Sequence, residues 1–77
     1  MDKEDLRKFV NKIFARKGHP PVKKFGPEFA DGILFQRLFN IMYDEQIDCK
    51  LKPSALVEDR LLNWNRINSI ICFNYLQ

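Results

Sequence analysis

Threonine is absent from this sequence, serine occurs only as Ser54 and Ser69, and histidine only as His19. Nucleophilic catalysis needs a nucleophile, a base and a group that orients the base, and so small a stock does not supply that set. No pair of carboxylates stands alone on an apolar face, which leaves general acid–base chemistry without a home. The cysteines are two, Cys49 and Cys72, with no CxxC pair. A zinc ligand set is therefore missing. The acidic run Asp44-Glu45-Gln46-Ile47-Asp48 lacks the glycine and terminal glutamate of a calcium loop and reads as solvated. Gly18, Gly26 and Gly32, the only glycines, stand in no GxxxxGK[ST] phosphate loop. These shortages point away from an enzyme and from any metal or cofactor.

Long apolar runs are missing as well. None approaches the roughly 18 residues needed to span a bilayer, and the opening Met-Asp-Lys-Glu-Asp has no signal-peptide core. We expect an intracellular, cytoplasmic protein with no membrane partner. The two cysteines read as reduced thiols with Cys72 in the core, a disulfide being the alternative. Seventy-seven residues allow one domain, 1–77, near the lower end for independent folding. Seven phenylalanines and an apolar share of 45% argue against disorder and for a core.

What is present is helical periodicity. Around Phe29–Met42, apolar residues fall at 34, 35, 38, 39, 41 and 42, interrupted by Gln36, Arg37 and Asn40. This broad face predicts a helix over about 31–43, capped by Asp31 and enclosed by its neighbours. Before it, Leu6, Phe9, Val10, Ile13 and Phe14 share one face of a helix over 3–17. Asp2, Glu4 and Asp5 suit its N-terminus, Arg16 and Lys17 its C-terminus, and Gly18 its left-handed cap. Opposite the apolar face, Glu4, Lys8, Lys12 and Arg16 make a stripe at spacing four with one Glu–Lys pair. Pro20-Pro21 ends helix propensity, so 18–26 reads as a loop, with His19 a solvated member. Pro27 suits the start of a short helical turn, 27–30, pinned to the core by Phe25 and Phe29. Residues 44–53 are polar, with Ile47 and Leu51 tucked inward, and Ser54 is placed to cap a short turn at 54–57. From Glu58 onward, Trp64, Ile67, Ile71 and Tyr75 form one apolar face and Leu62, Phe73 and Leu76 another, which predicts a central helix. The fold class is all-α, a compact bundle of three main helices plus short turns.

Charge is distributed unevenly. Residues 1–24 carry eight Lys or Arg against three acids, whereas residues 25–77 carry five against seven. The candidate functional patch is Lys8, Lys12, Arg16, Lys17, Lys23 and Lys24. It reads either as an ordinary solvated helix face or as a docking surface for an acidic polymer. No recognition-helix motif, zinc finger or exposed aromatic platform favours nucleic acid as that polymer.

Three stretches carry a resemblance. Phe29, Asp31-Gly32, Leu34 or Phe35, Leu38, and Ile41 or Met42 resemble the L-x-D-G-x-x-L-x-x-L segment of calponin-homology domains. Lys8-Phe9-Val10-Asn11 is similar to the family's first-helix signature, with Phe9 as the aromatic anchor where the family usually has Trp. Asn65 to Tyr75-Leu76 is similar to the family's Asn-rich central helix. The resemblance implies a module of the actin or microtubule cytoskeleton. Single, basic members favour microtubules, a cilium or flagellum included, over actin, which the family usually binds through tandem domains. The family domain is about a third longer, so the resemblance also implies an incomplete domain lacking the closing helix. A partner or second copy would then cover the exposed helix. An adaptor or structural fragment of a larger cytoskeletal or ciliary protein, binding through its apolar surface, is the alternative.

Overall fold

The computed structural model describes residues 2–75, and the side chains of residues 2–74. It is all-helical, with no strand among the described residues. The elements are α1 (Lys3–Ala15), α2 (Phe25–Phe29), α3 (Ile33–Tyr43), α4 (Val57–Ile67), a π-helical turn (Asn68–Cys72) and the single turn α5 (Phe73–Tyr75).

Helix α1 begins at Asp2, whose carboxylate accepts the Asp5 N–H at 2.8 Å and so satisfies a first-turn donor. It ends before a turn in which Gly18 takes a left-handed φ of 67°, the conformation glycine adopts at least cost. The expected apolar face is narrower than its spacing suggested. Val10, Ile13 and Phe14 are buried, while Leu6 is more than a third exposed and Phe9 is 46% exposed. Phe9 therefore does not act as the expected anchor.

Helix α3 starts two residues after Asp31. Its N-cap is Gly32 at φ 82°, and Asp31 serves from one residue upstream by accepting the Ile33 N–H at 3.1 Å. Gly32 is buried, and a Cβ there would overlap Ile67 Cδ1 of α4. The glycine thus meets two demands, a left-handed turn and a close helix approach.

Two apolar clusters flank α3. On one side Leu34, Leu38 and Ile41 pack with Val10 and Phe14 of α1, Val22, and Phe25 and Phe29. On the other, Phe35 and Phe39 pack with Ile47, Cys49, Leu51, Ile67 and Ile71. Burying a side chain the size of Phe14 or Ile71 stabilises by roughly 1.5–3 kcal/mol. Between the clusters α3 is not enclosed as expected: Met42 is 45% and Tyr43 55% exposed. Phe25 and Phe29 do pin α2, their rings stacked at 4.7 Å, although α2 starts two residues before Pro27.

Asparagine amides hold the non-helical segments. Asn11 of α1 donates to Val22 O at 3.1 Å and accepts from Val22 N at 2.6 Å. Asn40 of α3 donates to Ile47 O at 2.9 Å and accepts from Ile47 N at 3.0 Å. Asn63 of α4 does the same to Lys52, at 2.8 and 3.0 Å, and also donates to Asp31 O at 3.0 Å. Gln36 Oε1 accepts the Cys49 N–H at 2.7 Å. An extended segment beside a helix has backbone groups that need partners, and these amides supply a donor and an acceptor together.

The expected turn at 54–57 is not helical. Ser54 instead accepts the Leu56 N–H at 3.0 Å and donates to Asp59 at 2.7 Å, and α4 begins at Val57. The helical run from there reaches Tyr75 without a break, as expected, but it is neither regular nor central. A π-helical turn lies within it, and only the side bearing Asn63, Ile67 and Ile71 is buried. Leu62 and Phe73 are exposed, while the expected contributions of the Tyr75 and Leu76 side chains lie outside the described residues. Trp64 is partly exposed but tied down, its indole N–H donating to Ala30 O at 2.8 Å. Cys49 rather than Cys72 is the fully buried thiol, and neither is in a disulfide. Burial first, and Asp48 second, push the Cys49 thiol pKa up. Among the described residues no helix is long and apolar enough to cross a membrane.

Candidate docking surface

All six residues of the basic patch are exposed: Lys8, Lys12, Arg16, Lys17, Lys23 and Lys24. The fold divides them into two groups. Lys8 and Lys12 lie on the side of α1 opposite Val10 and Phe14, because positions four apart share a face. Arg16 caps that helix, and Lys17 follows in the turn. Lys23 and Lys24 belong to the segment that Asn11 clamps at Val22. They line a cleft at the N-terminal end of α1 with Lys3 and Arg7.

None of the six makes an ion pair within the described residues, where the bridges are Glu4–Arg7 and Lys52–Asp59. The Glu4–Lys8 pair expected on the stripe does not close to a salt bridge, and Lys8 acts on the Glu4 carboxylate only through its charge. Glu4 turns to Arg7 instead, which donates from Nε at 2.7 Å and also reaches Val22 O at 3.2 Å. That hydrogen bond holds the Glu4 carboxyl below the usual carboxylate range and raises the Arg7 guanidinium. With its folded-state pKa depressed, Glu4 lends its support above the ordinary carboxylate pKa and loses it as pH falls through the folded value.

Three surface residues were not part of the sequence-derived patch. Phe9 stands exposed one residue from Lys8 and a helical turn from Lys12, adding an apolar contact beside the cations. Arg37 of α3 is exposed and joins the basic side through His19, donating to its Nε2 at 3.1 Å. His19 is thus not a freely solvated loop residue. Its ring stacks on Phe14 at 4.3 Å, and Nδ1 donates to Pro20 O at 2.7 Å. That pairing assigns the proton to Nδ1 and leaves Nε2 as the acceptor for Arg37. Arg7 is the third, at the cleft. The signal for it was its place at i+3 from Glu4.

Among the described residues no group of three His, Cys, Asp or Glu is placed to hold a metal ion. The arrangement can attract and seat negative charge, with long-range steering that salt screens. No protein-family model matches the chain, and neither does any curated protein or solved structure.

Proposed function

We propose that this chain is a calponin-homology-like module that docks on an acidic cytoskeletal filament, with the microtubule surface favoured over actin. The observation that carries the reading is the exposure of six cations on α1 and the segment after it, none of whose side chains forms an ion pair among the described residues. A solvated helix face more often interleaves both signs. Here the opening third carries a net charge of +5 and the remainder −2. Docking requires no chemistry: the field orients the approach, and exposed Phe9 adds a short-range apolar contact. The all-helical bundle and the Asp31-Gly32 turn against α4 support the family assignment.

Charge reversal tests it. The triple variant Lys8→Glu, Lys12→Glu, Arg16→Glu is expected to lose cosedimentation with microtubules while keeping the native circular dichroism, because these side chains are exposed. Retained binding by a folded triple variant would remove the reading.

A second reading, an adaptor that binds another cytoskeletal protein through apolar surface, is favoured by a different observation. Leu56, Val57, Leu61, Leu62 and Phe73 are all more than half exposed. Phe35, Leu38, Phe39, Met42 and Tyr43 line an apolar groove of about 160 Å³. Such surface mediates association in a way that added salt does not weaken.

A further inference from the structure

We propose that the cleft between the start of α1 and α2 binds an acidic peptide in extended conformation, a segment rich in aspartate and glutamate. The inference rests on the docking reading and deepens it by naming the kind of chain that one part of the surface takes. The cleft has a volume of about 410 Å³ and its charged lining is Lys3, Arg7, Lys23, Lys24 and Glu4. Those residues carry a net of three positive charges, as many as the whole chain.

The chemistry of the lining selects among anions. Arg7 has the planar fork that would grip a phosphate, but its Nε and Nη2 are already engaged by Glu4. What remains is lysine, a point charge without a bidentate preference. Lys24 has extended backbone dihedrals, at φ −125° and ψ 98°, just before α2 begins. Glu28 accepts both the Lys23 and Lys24 N–H groups, at 3.1 and 3.0 Å, which fixes that strip of backbone and leaves the two ammoniums as the available donors. Lys3 reaches across from α1, its Nζ 3.9 Å from where a Cβ on Gly26 would stand. Cations spread in this way match carboxylates spaced along a chain better than one compact phosphate.

The rest of the lining is apolar. Phe25 and Pro27 belong to it, and Phe25 is held by its stack on Phe29. A glutamate side chain has a two-carbon stem for such a surface and a carboxylate for the ammonium beyond it. Single-stranded nucleic acid is the poorer fit, because it favours successive aromatic platforms and the cleft offers one ring.

The test uses the full chain and a fluorescein-labelled deca-glutamate peptide, read by fluorescence anisotropy at low salt. The native chain is expected to bind it. The cleft variant Lys23→Glu, Lys24→Glu should weaken binding roughly tenfold or more, and the stripe variant Lys8→Glu, Lys12→Glu by no more than about twofold. Circular dichroism of both variants checks their fold, and Lys23→Gln, Lys24→Gln should weaken binding by an intermediate amount. Absence of peptide binding, equal losses in the two variants, or tighter binding of an oligothymidylate of the same charge would each overturn the proposal. If the native chain sediments with microtubules yet ignores the peptide, the cleft assignment falls and the docking reading stands. Peptide binding in the cleft without sedimentation supports the cleft and removes the filament.

Discussion

Replacing Gly32 by alanine is expected to destabilise the fold by about 2–5 kcal/mol, a large share of what a small domain has. Two separate costs add. An L-residue at φ 82° carries a penalty of about 1–2 kcal/mol. The new Cβ would also overlap Ile67 Cδ1 and lie 3.5 Å from Trp64 Cε2, and overpacking a closed core costs roughly 1–3 kcal/mol more. Ile67 cannot simply turn away, because it is only 1% exposed and packed against Phe39, Cys49 and Ile71. Urea unfolding followed by circular dichroism should show a much lower midpoint with little change in slope. Gly32→Asn separates the terms, since asparagine tolerates a positive φ but not the overlap. It should recover only part of the loss. A shift below about 1 kcal/mol for Gly32→Ala would mean that α3 and α4 are not this close.

Asn63→Leu should be comparably damaging although leucine is the more apolar residue. Asn63 is 2% exposed, and its amide serves Lys52 N, Lys52 O and Asp31 O. Substitution strands these backbone groups against the core, at roughly 1–3 kcal/mol for each one left unsatisfied. We expect a net loss of about 3 kcal/mol or more, offset in part by the added apolar contact. Because the amide joins α4 to both the 44–56 segment and the turn before α3, amide exchange at Lys52 should accelerate beyond the global change. Unaltered stability in Asn63→Leu would show that the clamp is dispensable.

These two positions also mark how far the sequence could be read. Helices α1 and α3 were legible because their apolar residues recur at helical spacing, and both were placed within two residues at each end. Gly32 was visible as part of Asp31-Gly32, but its second role, admitting Ile67, depends on a residue 35 positions away and leaves no local trace. The clamps were hidden in the same way. Gln36 and Asn40 interrupt the apolar face of α3, and only the folded chain shows that they hold Cys49 and Ile47. Beyond Glu58 the periodicity supported two apolar faces, whereas burial supports one. The π-helical turn at Asn68–Cys72 shifts the register, and a fixed angular step cannot anticipate that. On the candidate surface, the position of Val10 and Phe14 on the opposite face of α1 foretold exposure only for Lys8 and Lys12 among the six cations. The division of the six into stripe and cleft was not legible, because it depends on where Asn11 holds Val22.

The most direct test of charge-driven docking is the salt dependence of cosedimentation between the intact chain and microtubules. Between about 0.01 and 0.15 M ionic strength the screening length falls from roughly 30 to 8 Å. Attraction between an exposed cationic face and an acidic lattice should collapse across that interval, so the bound fraction is expected to drop steeply. Binding that holds constant over the same range would contradict the account and assign the interaction to the uncovered apolar side of α4.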